Sequence, residues 1–189
     1  MNGDTNERRH LELAAPLTIR PATMVDVEAL RRLAERSVYA LLAAHYSPEQ
    51  LAAGQDAKFY WVEPELIEDG TYYVLEIDQQ LVACSGWSHR GTFHPPGTSD
   101  NHEHTVDSET ATMRATYVDP RYGRRGFATL LARVTELAAT NAGYRTFEAM
   151  CTPPSEAMRR SLGYEVVNRI QTPVLDDVTW AAALMRKTI

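Results

Sequence analysis

One stretch constrains this chain more than any other: Ala111 to Ala142, ATMRATYVDPRYGRRGFATLLARVTELAATNA. Its apolar pattern predicts a strand over Thr110–Val118, a stop at Asp119-Pro120, a basic glycine-containing turn and an amphipathic helix. Within that helix Phe127, Leu130, Leu131, Val134, Leu137 and Ala138 form an apolar stripe, while Arg133, Glu136 and Thr140 face elsewhere; Gly143 closes it. The first backbone N–H groups of a helix have no intrahelical acceptor and lie at the positive end of its dipole. Arg124, Arg125 and Gly126 stand at that end, so the turn reads as an anion site, with phosphate as the first candidate.

The flanking sequence supplies a sheet for this unit. Residues 1–15 are polar and without period and read as a loose tail, leaving 16–189 as a single domain. Leu17–Arg20 is a short alternating strand stopped by Pro21. Thr23 and Asp26 resemble a capping box ahead of a helix over about 24–44, with Val27, Leu30, Ala34, Val38 and Leu41 at helical spacing. Ser47-Pro48 predicts the start of a second helix, interrupted by Gly54-Gln55, and 59–69 a further helical piece. Segments placed between a first and second strand often shape a substrate mouth; Tyr39, His45, Tyr46, Phe59, Tyr60 and Trp61 read chiefly as packing aromatics there.

Tyr72–Ile77 and Leu81–Ser88 form an antiparallel hairpin around Asp78–Gln80. From Arg90 to Ser108 the chain turns polar, predicting an exposed loop unusually long for a compact domain. Beyond the central helix, Arg145–Cys151 is a strand, Pro153-Pro154 a break, Ser155–Ser161 a short helix, and Tyr164–Ile170 and Trp180–Met185 two last strands. This order implies a mixed α/β sheet with helices on both faces.

Charge limits the partners. The formal net charge is −6, which argues against a nucleic-acid binder relying on global positive charge, so the arginines of the turn act locally. Neither a signal-peptide core nor a long apolar run is present, and a cytoplasmic protein with no membrane partner is expected. Cys84 and Cys151 fall in apolar strands and read as buried free thiols.

Two common phosphate turns fail on this sequence. A P-loop requires a Gly-Lys pair, which is absent, and the Rossmann turn requires G-x-G-x-x-G where 123–128 reads G-R-R-G-F-A. That hexapeptide, between a strand and a helix, resembles the acyl-CoA turn of the GNAT N-acetyltransferase superfamily, [QR]-x-x-G-x-[GA]. Ile19–Thr23 with Asp26 resembles the family's opening strand and helix, and Met158–Tyr164 the segment that closes its cleft, so the likeness runs from Leu17 to Thr188. It departs at Gly123, where Gln or Arg is usual, and at Arg159, where a Tyr often serves as general acid.

The resemblance implies a GNAT-like acyl-CoA N-acyltransferase fold with a central, mostly antiparallel twisted sheet. It also implies acetyl-CoA as co-substrate and an amine acceptor, small molecule or protein, that attacks directly in a ternary complex. The pyrophosphate would lie on amides of Arg124, Arg125, Gly126, Phe127, Ala128 and Thr129, and the pantetheine arm along Tyr117 and Val118, with a strand amide near Val118 polarising the thioester carbonyl. A homodimer is reasonable on the same ground. An attacking amine must lose a proton, and Glu109 is the nearest acidic candidate, although the usual position of the base falls at Thr112.

Arg159 cannot be a general acid, because a guanidinium keeps its proton. Anchoring a substrate carboxylate or phosphate, stabilising the leaving thiolate and covering solvent-facing surface are its open roles. His94, His102 and His104 sit with several acids in the long loop; metal ligation and proton relay are both conceivable, and no metal is expected. A non-catalytic acyl-CoA-binding module of the same fold is the alternative to an enzyme.

Overall fold

The computed structural model describes residues 16–57, 62–90 and 109–189. Seven strands form one sheet in the order β1-β2-β3-β4-β5-β7-β6: β1 (Leu17–Pro21), β2 (Tyr72–Ile77), β3 (Gln80–Ser88), β4 (Thr110–Val118), β5 (Thr146–Cys151), β6 (Glu165–Leu175) and β7 (Val178–Thr188). Every neighbouring pair is antiparallel except β4 and β5. That parallel pair needs a crossover, which α4 (Phe127–Asn141) supplies.

Helices α1 (Val27–Leu42), α2 (Pro48–Asp56) and α3 (Pro64–Glu68) cover one face. Helix α4 and α5 (Pro153–Ser161) cover the other. On the first face Leu30, Leu33 and Ala34 of α1 meet Tyr72, Val74 and Cys84 of the sheet. On the second, Ala132 and Ala139 of α4 meet Ala111, Met113 and Phe147.

Several elements differ from the sequence reading. Helix α2 runs through Gly54, because that glycine is a site of close approach and not a break. A Cβ there would stand 2.3 Å from the Trp180 ring. Trp180 also stacks on Tyr46 with centroids 4.6 Å apart and donates from Nε1 to the Gln50 carbonyl, so α2 is fastened to β7.

Pro153 and Pro154 do not break the chain; they are the first two residues of α5, where a missing N–H costs nothing. Strand β6 passes through Pro173, which is tolerated because β6 is the edge of the sheet. In α1 the apolar face continues through Leu33 and Leu42, leaving Leu41 exposed.

The stripe of α4 is also rotated from expectation. Leu131, Ala132, Thr135, Glu136 and Ala139 are buried, while Leu130 and Leu137 are exposed. Glu136 can face inward because Lys187 of β7 reaches it at 2.7 Å. Cys84 and Cys151 are buried free thiols. No helix among the described residues is long and apolar enough to cross a membrane.

Candidate active site

The turn between β4 and α4 is built by Asp119, a residue only 1% exposed. Its carboxylate accepts from the Arg121 amide at 3.0 Å, which caps a 3-10 turn over Pro120–Tyr122. It also accepts from Arg121 Nη2 at 2.9 Å and Arg36 Nη2 at 3.1 Å. The bonds from Arg121, and then that from Arg36, hold the Asp119 carboxyl down at about 2, against burial that opposes them. Asp26 is held at about 2 in the same way, first by Arg20 and then by the Thr23 backbone and hydroxyl at the start of α1.

Because both groups sit below their unfolded values, their stabilisation is complete above about pH 4 and is lost as pH falls toward 2. With the exposed arginines screened by solvent, each should contribute about 1 kcal/mol. Asp119→Asn should flatten the acid limb of an unfolding-versus-pH curve by that amount. An unchanged acid limb would show that the turn is held by other contacts.

Past Asp119 the chain enters a conformation made for an anion. Gly126 is the N-cap of α4 with φ of 84°, and no side chain caps the helix. A Cβ at Gly126 would meet nothing within 4 Å, so the space in front of the first-turn amides is open. The left-handed backbone favours glycine there. Phe127, Ala128 and Thr129 follow with amides that have no helical acceptor. Arg124 and Arg125 are exposed on the turn, the second with its guanidinium 5.3 Å from the Tyr122 ring centroid.

The strand leading in is equally unusual. β4 pairs with β5 only from Thr110 to Met113; the register ends at Met113 opposite Ala149. At that point β4 carries a bulge, with Ala115 at φ of 47° and a register shift against β3 between Cys84 and Gly86. A bulge bends its strand. β5 continues with β7 as far as Cys151, so 114–118 leaves a wedge between two strands that part. Tyr117 and Val118 lie on this last part of β4, the stretch that leads into the 119–126 turn. The amide of Val118, however, donates to Ser37 Oγ at 3.2 Å, so a carbonyl-polarising amide is not free at Val118 itself.

The sequence singled out Arg159 but not what it meets at the wedge. Arg159 of α5 is 3% exposed and reaches under the opening, with Nη2 3.5 Å from Thr116 Oγ1. Thr116 is in turn 2.8 Å from Ser85 Oγ. On the face covered by α1–α3, Arg114 of β4 and Glu63 form a buried ion pair. Burial pushes the Glu63 carboxyl up, opposed by Arg114, and lowers the Arg114 guanidinium, opposed by Glu63.

Glu109 is exposed, one residue ahead of β4 and five ahead of Arg114, or roughly 17 Å of extended strand from the wedge. Thr112 is fully buried and donates to the Ser88 carbonyl at 3.3 Å. His94, His102, His104, Phe59, Tyr60 and Trp61 lie outside the described residues. Among the described residues no group of three or more His, Cys, Asp or Glu is placed to hold a metal. An open cleft of about 590 Å3 separates α1 from the turn, lined in part by Glu35, Arg36, Tyr39 and Asp119.

The model of the acetyltransferase (GNAT) family matches residues 35–164. The chain belongs to the GNAT acetyltransferase family. A GNAT acetyltransferase chain should share its fold with others, and it does.

A GCN5-related N-acetyltransferase from Rhodopseudomonas palustris superposes with a TM-score of 0.69 at 17% identity, over 94% of this chain and 98% of that one. PaiA N-acetyltransferase from Thermoplasma acidophilum, solved with coenzyme A, gives 0.64 at 15% identity over 92% and 99%. A ribosomal-protein-alanine N-acetyltransferase from Brucella melitensis gives 0.62 at 20% identity over 91% and 99%. At these identities the likeness shows the fold. No curated protein matches the sequence.

Proposed function

We propose that this GNAT-family chain transfers an acetyl group from acetyl-CoA to a primary amine, by direct attack within a ternary complex. The observation that carries the reading is the uncapped first turn of α4 behind Gly126, set after the 114–118 segment of β4 that runs on past its pairing with β5. A diphosphate would be bound by the amides of 124–129, with Arg124 and Arg125 adding charge. The arm that links diphosphate to thioester is amide-bearing and extended, and the part of β4 past its pairing with β5 would bind such a chain as it would bind a peptide. That the PaiA structure holds coenzyme A supports the choice of donor.

The wedge then brings amine and thioester together, which supplies much of the rate. The residues facing α1–α3 shape the acceptor side. Glu109 is the proposed proton acceptor on its place in the sequence; at roughly 17 Å of strand from the wedge it lies beyond one bridging water, so the proton would have to pass along a chain of several waters.

Thiol release from acetyl-CoA across a panel of primary amines tests the reading. Turnover with at least one amine is expected. Glu109→Gln should lower kcat at neutral pH by about tenfold or more, with recovery as pH rises and the amine deprotonates by itself. An unchanged profile would remove Glu109 from the mechanism. Tight CoA binding with no turnover on any amine would instead favour a non-catalytic acyl-CoA-binding module.

A further inference from the structure

The buried charges of the described residues are paired, with one exception. Glu63 meets Arg114, Asp119 meets Arg36 and Arg121, Glu136 meets Lys187, and Glu148 meets Arg186. Arg159 has no carboxylate within ion-pair distance among the described residues, although only 3% of it is exposed. Beside it lie the Thr116 hydroxyl, 3.5 Å from Nη2, and the Tyr164 ring, whose centroid is 5.2 Å from Cζ; the Lys187 ammonium, 5.7 Å from the same centroid, is already paired with Glu136. Among the described residues its buried Nη1 finds no hydrogen-bond acceptor. Taking a cation out of water costs several kcal/mol unless an opposite charge offsets it, and a ring and one hydroxyl offset only part. The unmet donor therefore marks the place of an anion that arrives with a ligand.

Position identifies which anion. Arg159 belongs to α5, which follows β5, while Thr116 lies on the β4 edge past the last β4–β5 pair, so the guanidinium spans the floor of the wedge. It does so on the sheet face that carries α4 and α5, the face whose helix amides form the diphosphate turn. Val118 at the end of β4 is two residues from Thr116, roughly 7 Å along the strand. An arm seated on the turn and laid along this edge thus has its far end, the sulfur, at Arg159. An acceptor carboxylate entering from the side of α1–α3 would have to cross the sheet to reach it.

We propose that Arg159 stabilises the departing CoA sulfur as a thiolate. This rests on the acetyl-transfer reading given above. As the amine nitrogen bonds to the carbonyl carbon, the C–S bond breaks and its electron pair leaves on sulfur. The surplus proton of the amine passes to water, and Arg159 keeps its own protons while its charge offsets that of sulfur. The products are the N-acetylamine, the CoA thiolate and one proton. No proton has to reach sulfur before it departs, which is consistent with a residue that cannot act as an acid.

The test is an ultraviolet titration of the thiol of CoA bound to the whole protein, with desulfo-CoA as the blank. In the wild-type complex the thiol should be at least about tenfold more ionised at neutral pH than that of free CoA. Arg159→Met should return it to the free value, and Arg159→Lys should keep part of the effect. In turnover, Arg159→Met should lower kcat by about 10- to 100-fold with the acetyl-CoA KM within about threefold.

A wild-type thiol that titrates like free CoA overturns the proposal, and needs no variant to do so. An equal shift in wild type and Arg159→Met also overturns it, as does a variant whose only change is a raised KM for a carboxylate-bearing acceptor. Failure of the wild-type protein to bind CoA would remove the donor reading itself. Binding without an Arg159-dependent thiol shift removes only this inference.

Discussion

Gly126→Glu should weaken acetyl-CoA binding by about a hundredfold or more, equivalent to about 2.8 kcal/mol, in a calorimetric titration. Two effects add. The side chain would project into the open space before the first-turn amides, where the diphosphate is proposed to lie, and its carboxylate would repel that anion. The fold should survive, because a Cβ at this position meets nothing within 4 Å; only the left-handed backbone, at φ of 84°, resists a side chain, at a cost of about 1–2 kcal/mol. A folded Gly126→Glu protein that still binds acetyl-CoA with wild-type affinity would place the phosphates elsewhere.

The second large effect concerns the buried ion pair on the α1–α3 side of the wedge. Glu63→Leu should destabilise the protein by about 3–5 kcal/mol in denaturant unfolding, because it leaves the buried charge of Arg114 without its carboxylate. Exchanging both residues for leucine should recover most of that loss. Burial already opposes both charges, so the pair as a whole adds little net stability while either half alone is costly. If the single and double variants unfold alike, the ion pair is not the source of the loss. Since Arg114 is the first residue of β4 past its pairing with β5, the same variant reports how strongly the wedge is supported from the α1–α3 face.

What could be read from the chain alone follows from how local each cause is. Thr110–Val118 and the turn at 119–126 are set by neighbours in sequence: a run of β-formers, a Pro stop, an Asp that caps the next turn, and a glycine ahead of a helix. These were legible, and with them the family. Gly54 was misread as an interruption because its reason is Trp180, on the last strand. The buried face of α4 was misassigned because Glu136 counts as polar until Lys187 of β7 is brought to it. Pro153-Pro154 carried a readable signal after all: Thr152 followed by proline is a helix start, and Ser155 Oγ closes it by donating to the Thr152 carbonyl at 2.8 Å.

The site itself divides along the same line. The proposed donor turn is one contiguous segment, so the sequence could propose Tyr117, Val118 and 124–129 together. The parting of β4 from β5 could not be foreseen, since it depends on a bulge at Ala115 and on where a partner strand, more than thirty residues later in the chain, stops pairing. Nor could the burial of Arg159, for which anchoring a substrate anion, stabilising the thiolate and covering surface all stay open on the sequence alone. Glu109 illustrates the converse, a residue near in sequence to the reacting strand yet at its far end in space.

The most direct measurement is a residue-resolved one, in which CoA is titrated into isotopically labelled protein and the backbone amide resonances are followed by NMR. The largest shifts should fall at the amides of 124–129 and along the 114–118 edge of β4, saturating together at one CoA per chain. Saturable binding whose shifts cluster away from both segments, or no binding at millimolar CoA, would contradict the assignment of the α4 turn as the acyl-CoA cradle.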